Sequence, residues 1–349
     1  MRLWEEHVVT IGGTPRRRIG QTSLKLPVFG FGAAHLGELY SLVPEADSQA
    51  TLAAAWEGGV RYFDTAPWYG RGLSEHRLGG FLRTKPRGEF QITTKVGKTL
   101  HRPADPATFD RAPWKGGLNF EVRFDYSYDG IMRSYEQALQ RLALDTVDAL
   151  VIHDLDIEFH GDKLPGYEAQ LIDSGIRALQ ELKKAGDIQA FGMGLNNNHT
   201  FETLVPRVDL DFCLVAMPYT LLDQFSLHRG MAHLQKRGAS AIIGAPFASG
   251  ILVTGSKGPA HYAYGKASAE IQDKVRQMEA LCLAHDVALP AAALQFVLAH
   301  PVTAAVIPGA AGPAEIRQNL GLLAVPIPAG FWSDLKAQGL IDADAPVPA

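Results

Sequence analysis

RYFDTAPWYG, residues 61–70, is the stretch on which the fold turns. An apolar run ends in Asp64, and Tyr69 follows five residues later in a short loop. A carboxylate closing a buried strand is costly unless something pairs with it. Two later runs end the same way: QITTK (91–95) closes on Lys95, and ALVIH (149–153) on His153. An acid, an amine and an imidazole at the ends of successive apolar runs predict parallel strands. In a barrel of such strands, reactive groups gather at the C-terminal rim.

Working outward, eight runs rich in Val, Ile, Phe and Ala read as strands buried on both faces: 28–32, 60–64, 91–95, 147–153, 190–194, 211–216, 239–244 and 303–307. Helical patterns fill the gaps at 47–58, 74–84, 129–144, 168–185, 199–205, 226–237, 268–285 and 314–323. An extra helix is expected at 290–300. Asp47 and Ser74 suit N-caps, and Gly58 and Gly186 suit C-terminal stops. The count predicts an α/β fold, a single (β/α)8 TIM barrel spanning 1–349. Residues 12–28 read as an N-terminal β-hairpin plugging its bottom, and 342–349 as a frayed tail. The loops after strands three, four and seven (96–128, 154–167 and 245–267) are long, which is usual for functional loops.

The chain has 349 residues, 46% of them hydrophobic, with a net charge of −4. That supports a large core and argues against a nucleic-acid partner, which wants a basic face. Arg16, Arg17 and Arg18 read as a solvated strand or turn. The two cysteines, Cys213 and Cys282, give no disulfide framework and read as small buried hydrophobes in a reducing cytoplasm. No apolar run reaches the roughly 18 residues of a membrane span. The N-terminus has no apolar signal core. The expectation is a cytoplasmic protein with a small-molecule substrate and no membrane or nucleic-acid partner. Oligomeric state is not legible.

The rim cluster has readable chemistry. Tyrosine has a pKa of about 10 and is a poor base near neutrality. An ammonium about 4 Å away supplies roughly 4 kcal/mol at an effective dielectric of 20. One pKa unit is about 1.4 kcal/mol, so Lys95 is expected to lower Tyr69 by around two units. Asp64 would hold Lys95 charged, and His153 would donate to the substrate oxygen. Tyr69 is then the general acid/base. No histidine partner lies at metal-ligand spacing from His153, so no metal is expected.

FDTAPWYG (63–70), TTK (93–95), IHD (152–154) and the approach RLALDTVDALVIHD (141–154) together resemble the aldo-keto reductases, (β/α)8 barrels that use nicotinamide cofactors. The resemblance covers nearly the whole chain. It implies Asp64, Tyr69, Lys95 and His153 as the catalytic tetrad. AFGMGLNN (190–197) lies where the family binds the nicotinamide carboxamide. The family's Ser-Asn there falls on Gly194 and Leu195, with Asn196 as substitute. Its strand-six glutamine falls on Ala216. GAPFASGIL (244–252) resembles the pyrophosphate loop, with Gly244 in place of the stacking aromatic. IPGAAGPAEIRQN (307–319) resembles the adenosine segment. The cofactor contacts implied are Gly32, Asn196, Phe247, Gly250, Gly309, Arg317 and Asn319.

FGMGLNN, PYTLLDQ (218–224) and IHDLDIEFHG (152–161) resemble the branch containing D-threo-aldose 1-dehydrogenase, L-fucose and L-galactose dehydrogenases and pyridoxal 4-dehydrogenase. That implies oxidation of a cyclic hemiacetal, such as C1 of L-fucose, D-arabinose or L-galactose, to a lactone. Alternatives are pyridoxal oxidation to 4-pyridoxolactone, or general NADPH-dependent aldehyde or ketone reduction. From a different class, a cofactor-bound regulatory subunit is the remaining reading. Trp68, His35, Tyr40 and Trp114 are the substrate-pocket candidates. Many NADP-using relatives carry Lys-Ser after the last strand's Ile-Pro, where this chain has Gly309 and Ala310. NAD is therefore expected, with NADP as the alternative. GFGAAH (30–35) lacks the third glycine of a dinucleotide fingerprint. A Schiff-base lysine at 95 would need a low pKa, which Asp64 opposes.

Overall fold

The computed structural model describes residues 9–11, 14–39, 41–258, 261–263 and 265–348. Its main sheet has eight parallel strands: β1 (Phe31–Gly32), β2 (Tyr62–Asp64), β3 (Gln91–Val96), β4 (Ala149–Ile152), β5 (Ala190–Leu195), β6 (Phe212–Val215), β7 (Ser240–Ile243) and β8 (Thr303–Val306). They lie in sequence order. Parallel bridges Phe29↔Val306 and Gly32↔Gly309 join the first strand to the last. Gly30 N donates to Val306 O at 2.9 Å and Gly32 N to Pro308 O at 3.1 Å. The sheet is thus a closed (β/α)8 barrel. Closure explains Gly32, where a Cβ would lie 2.6 Å from the carbonyl of Ile307.

Side chains alternate along these strands. Tyr62, Val151, Phe212, Leu214, Ile242 and Ala305 fill the barrel interior. Their neighbours Phe63, Leu150, Ile152, Val215, Ile243 and Val306 pack outward against the helices. Two residues beyond Tyr62, Asp64 faces the interior. Lys95 pairs with inward-facing Val151 across β3 and β4, and His153 lies two residues beyond Val151. The register therefore delivers all three side chains to one end of the barrel.

The opposite end is closed by a three-stranded antiparallel sheet, Val9–Ile11, Thr14–Arg18 and Lys25–Pro27. The expected hairpin is its second and third strands. Ile19, Leu24 and Leu26 plug the interior. Two of the three arginines read as solvated are clamps instead. Arg17 donates to Thr303 O at 2.6 Å, and buried Arg16 donates to Gln91 Oε1 at 2.7 Å. Each reaches the start of a barrel strand that offers an unpaired acceptor.

Helices appear where the periodicity placed them, including Glu45–Glu57, Leu73–Leu82, Tyr128–Leu142, Ala269–His285, Leu289–Ala299 and Pro313–Leu322. Gly58 and Gly186 cap helix C-termini. The two expected N-caps are corrected. Asp47 lies inside the first turn behind Pro44. Ser74 is also helical, and its hydroxyl donates to Ala33 O at 2.7 Å. A final helix, Ala329–Ala337, was not foreseen; it buries Phe331 and Trp332. Nor is the tail frayed. Ala345 is buried, Asp342 N donates to Gln224 Oε1 at 3.2 Å, and Lys336 Nζ donates to Ala343 O at 2.8 Å. A small apolar residue among polar ones supplied the anchor that composition obscured. Among the described residues, no single helix is long and apolar enough to cross a membrane.

Candidate active site

Asp64 and Lys95, each 1% exposed, form an ion pair of 2.5 Å between Nζ and Oδ1. Thr93 Oγ1 donates to the other carboxylate oxygen at 2.6 Å, and Lys95 Nζ also donates to Thr65 O at 2.9 Å. Both charges are therefore paired and hydrogen-bonded, which is what burial demands. The lysine ammonium stands 4.7 Å from the centroid of the Tyr69 ring.

Tyr69 is held by a tightly turned loop. Gly70, Arg71 and Gly72 all have positive φ. A Cβ on Gly37 would lie 2.4 Å from Gly70 N, so two backbones meet there. Buried Arg71 donates to Phe120 O at 3.1 Å and Ala112 O at 3.2 Å, tying this loop to the one after β3. The Tyr69 and His153 rings are nearly perpendicular, with centroids 5.9 Å apart. The structure thus brings the four predicted catalytic candidates together on one rim.

Their electrostatics differ from expectation in one respect. The Tyr69 hydroxyl is pushed well above its ordinary pKa, by burial first and then by the Asp64 and Asp154 charges. Lysine proximity does not bring it below the ordinary value, because burial and the two carboxylates outweigh the Lys95 cation. His153 is driven well below the usual histidine value, by burial and then by the Lys98 and Lys95 cations. At neutral pH the site therefore holds a protonated phenol beside a neutral imidazole.

The pocket candidates divide. Trp114 is 5% exposed and packs on both Tyr69 (centroids 5.9 Å) and Trp68 (5.8 Å). Its indole N–H has no partner within the protein. His35 instead abuts the segment after β8, where a Cβ on Gly309 would lie 2.5 Å from its Nδ1. Tyr40 lies outside the described residues.

Three residues were missed. Lys98, fully buried, pairs with Asp154, and its ammonium lies 4.6 Å from the Phe159 ring and 5.0 Å from Trp68. Asp156 caps the short helix Ile157–His160 by accepting from Phe159 N at 3.0 Å, which fixes Phe159 beside Trp68. The signals were present in KVGK (95–98) and IHD, since β3 and β4 are neighbours. A lysine just past one and an aspartate just past the other lie close enough to pair.

The predicted cofactor contacts lie at the ends of β1, β5, β7 and β8. Asn196 Nδ2 donates to Asp154 Oδ1 at 3.0 Å. After β7, Ala248, Ser249 and Gly250 all have positive φ, and Phe247 packs on the core beneath them. Within the turn, Ala248 N donates to Ala245 O at 3.0 Å and Gly250 N to Phe247 O at 2.9 Å. A Cβ on Gly250 meets nothing within 4 Å, so the turn opens outward. After β8, Asn319 Nδ2 donates to Gly309 O at 3.2 Å, and Gly312 begins the helix Pro313–Leu322. Glu315 Oε2 accepts from Ala311 N at 2.8 Å. Arg317 is exposed. The open turn after β7 and the glycine-rich segment after β8 lie at the same end of the barrel as Tyr69, where a dinucleotide would be held.

Comparison with known proteins agrees. The model of the aldo/keto reductase family matches residues 28–338. Pyridoxal 4-dehydrogenase from Microbacterium luteolum is 40% identical over 335 residues, covering 93% of this chain and 98% of that protein. D-threo-aldose 1-dehydrogenase from a Pseudomonas species is 36% identical, covering 91% and 95%. L-galactose dehydrogenase from Arabidopsis thaliana is 30% identical, covering 87% and 86%. An aldo-keto reductase from Bacillus halodurans, in its holo form, has the same fold, with a TM-score of 0.72 and 24% identity over 95% of this chain and 98% of that one. A barrel of this register, with this rim and these relatives, is an NAD(P)-dependent oxidoreductase, and the chain belongs to the aldo/keto reductase family.

Proposed function

We propose that the protein oxidises a cyclic hemiacetal, an aldose at C1, to its lactone with NAD+. The observation that carries this is Tyr69, a buried phenol between the Lys95–Asp64 pair and the His153 ring. Identities of 30–40% to pyridoxal and aldose dehydrogenases support the substrate class.

A bound nicotinamide supplies the hydride acceptor. The protein's own residues manage the proton. Tyr69, as phenolate, takes the hydroxyl proton while the C1–H bond breaks and the C1–O double bond forms. Lys95, held by Asp64, stabilises the phenolate that is present before that proton arrives. His153, neutral, holds the substrate oxygen. Trp68, Trp114 and Phe159 give an apolar wall that excludes water, and the Trp114 N–H is a donor for a second substrate oxygen. Cys213 and Cys282 are free and buried, and burial pushes the Cys282 thiol up to about 12, which suits an inert thiol in a reducing cytoplasm.

Free aldoses and pyridoxal, offered with NAD+ and followed at 340 nm, test the reading. Early-time NMR should show a lactone before any free acid. Direct appearance of the carboxylate would mean oxidation of an aldehyde hydrate instead. Pyridoxal is the second reading, favoured by the 40% identity to a pyridoxal dehydrogenase.

A further inference from the structure

Beyond the tetrad, one buried anion touches both halves of the proposed site. Asp154 lies just past β4, with φ of 51°, a left-handed conformation that Asp tolerates better than most residues. One carboxylate oxygen meets Lys98 Nζ and also lies 3.4 Å from His153 Nε2. The other accepts from Asn196 Nδ2 at 3.0 Å. Lys98 is walled by Trp68, Phe124 and Phe159. Its ammonium therefore cannot swing to water, and Asp154 is held with it.

We propose that Lys98 and Asp154 form a positioning pair that sets side-chain geometry on both sides of the reacting atoms. On the substrate side the carboxylate fixes the edge of the His153 ring. On the cofactor side it takes one of the two hydrogens on Asn196 Nδ2, which fixes the plane of the amide and leaves its oxygen and second hydrogen for a ligand amide. This inference rests on the reading of the site as a hemiacetal dehydrogenase using NAD+. Neither residue touches substrate in that reading. Both act through His153 and Asn196.

Removing one charge alone would strand the other in an apolar site. The test therefore uses two variants that avoid this. Lys98→Met/Asp154→Asn removes both charges and keeps shape. Asp154→Glu keeps both charges but displaces the carboxylate by one methylene, and its melting temperature reports any strain at this positive-φ position. Each is compared with the parent enzyme for melting temperature, for NADH affinity by fluorescence titration, and for kcat and KM with an aldose.

The expected result is a folded double variant with kcat down about ten- to a hundredfold, the scale on which misplacing a reacting group costs rate. NADH binding weakens several-fold in both variants, and the fall in kcat exceeds any rise in KM. Either variant, folded and with parental NADH affinity, KM and kcat, overturns the proposal. Absence of aldose turnover in the parent enzyme would instead overturn the functional reading, and NADH affinity still judges the pair.

Discussion

Lys95 Nζ lies 2.5 Å from Asp64 Oδ1, joining the ends of two adjacent strands inside a site that excludes water. Breaking a buried pair by removing one partner costs about 3–5 kcal/mol, because the survivor is left uncompensated. Lys95→Met should therefore lose stability on that scale. Lys95→Met/Asp64→Asn should regain most of it and remain inactive. Chemical denaturation of the three proteins checks this. A double variant as unstable as the single would show that the pair contributes packing and not charge balance.

Tyr69→Phe deletes one oxygen from a ring that still packs on Trp114 and His153. If Tyr69 is the acid/base, kcat should fall at least about a hundredfold. NADH affinity should stay within about twofold of the parent, because in this reading the ring does not hold the dinucleotide. Near-normal turnover in this variant would remove Tyr69 from the chemistry.

The two reaction directions should respond oppositely to pH. Oxidation needs the phenolate, and burial with Asp64 and Asp154 holds Tyr69 in its phenol form. The kcat for oxidation should then climb through alkaline pH. Reduction uses the phenol and should be flat across neutrality, falling only when the phenol ionises. Lys95→Met, which removes a cation near the ring, should push the oxidative rise further up. A pH-independent oxidation rate would contradict the assignment.

A separate histidine adds to acid sensitivity. His300 is buried, and burial pulls it down to about 4. Its Nδ1 accepts from Val302 N at 3.3 Å. The unfolded chain, with a histidine near 6.5, binds the proton more readily, so stability is lost as pH falls from about 6.5 towards 4. Between pH 7 and 5 that loss is about 2 kcal/mol from this residue. His300→Gln should flatten the pH dependence of the denaturation midpoint by that amount. An unchanged slope would assign acid sensitivity to other groups.

Much of this site was legible because strand alternation is rigid. Once Asp64, Lys95 and His153 were seen to end successive strands, their convergence followed from register. The Lys98–Asp154 pair was harder, since each residue lies beyond the strand end, where a loop's direction depends on tertiary contacts. Tyr69's raised pKa was illegible for a similar reason. Proximity to a lysine and its pairing with Asp64 could be inferred, but the depth of burial and the added Asp154 charge could not. His35 followed Gly309 because β1 closes the barrel against β8, a neighbour far away in sequence.

Cofactor choice turns on the segment after β8. Selecting NADP over NAD requires donors for the 2′-phosphate. Gly309, Ala310, Ala311 and Gly312 offer no side-chain donor. Glu315 occupies the first turn of the helix Pro313–Leu322 and accepts from Ala311 N at 2.8 Å, so an anion already satisfies this N-terminus. A phosphate there would meet a carboxylate, and Arg317, exposed and bonded back to Pro313 O at 3.4 Å, is the only cation in 307–319. Losing a charge-assisted contact costs about 1.5–3 kcal/mol, or roughly ten- to a hundredfold in kcat/KM. NAD+ should be preferred over NADP+ by at least that ratio, and Glu315→Gln should narrow it by relieving the repulsion. Measuring kcat/KM for both cofactors at saturating aldose settles the matter. A tenfold preference for NADP+ in the parent enzyme would mean that a cation from outside this segment, such as Lys257 or Lys266 on the loop after β7, reaches the 2′-phosphate.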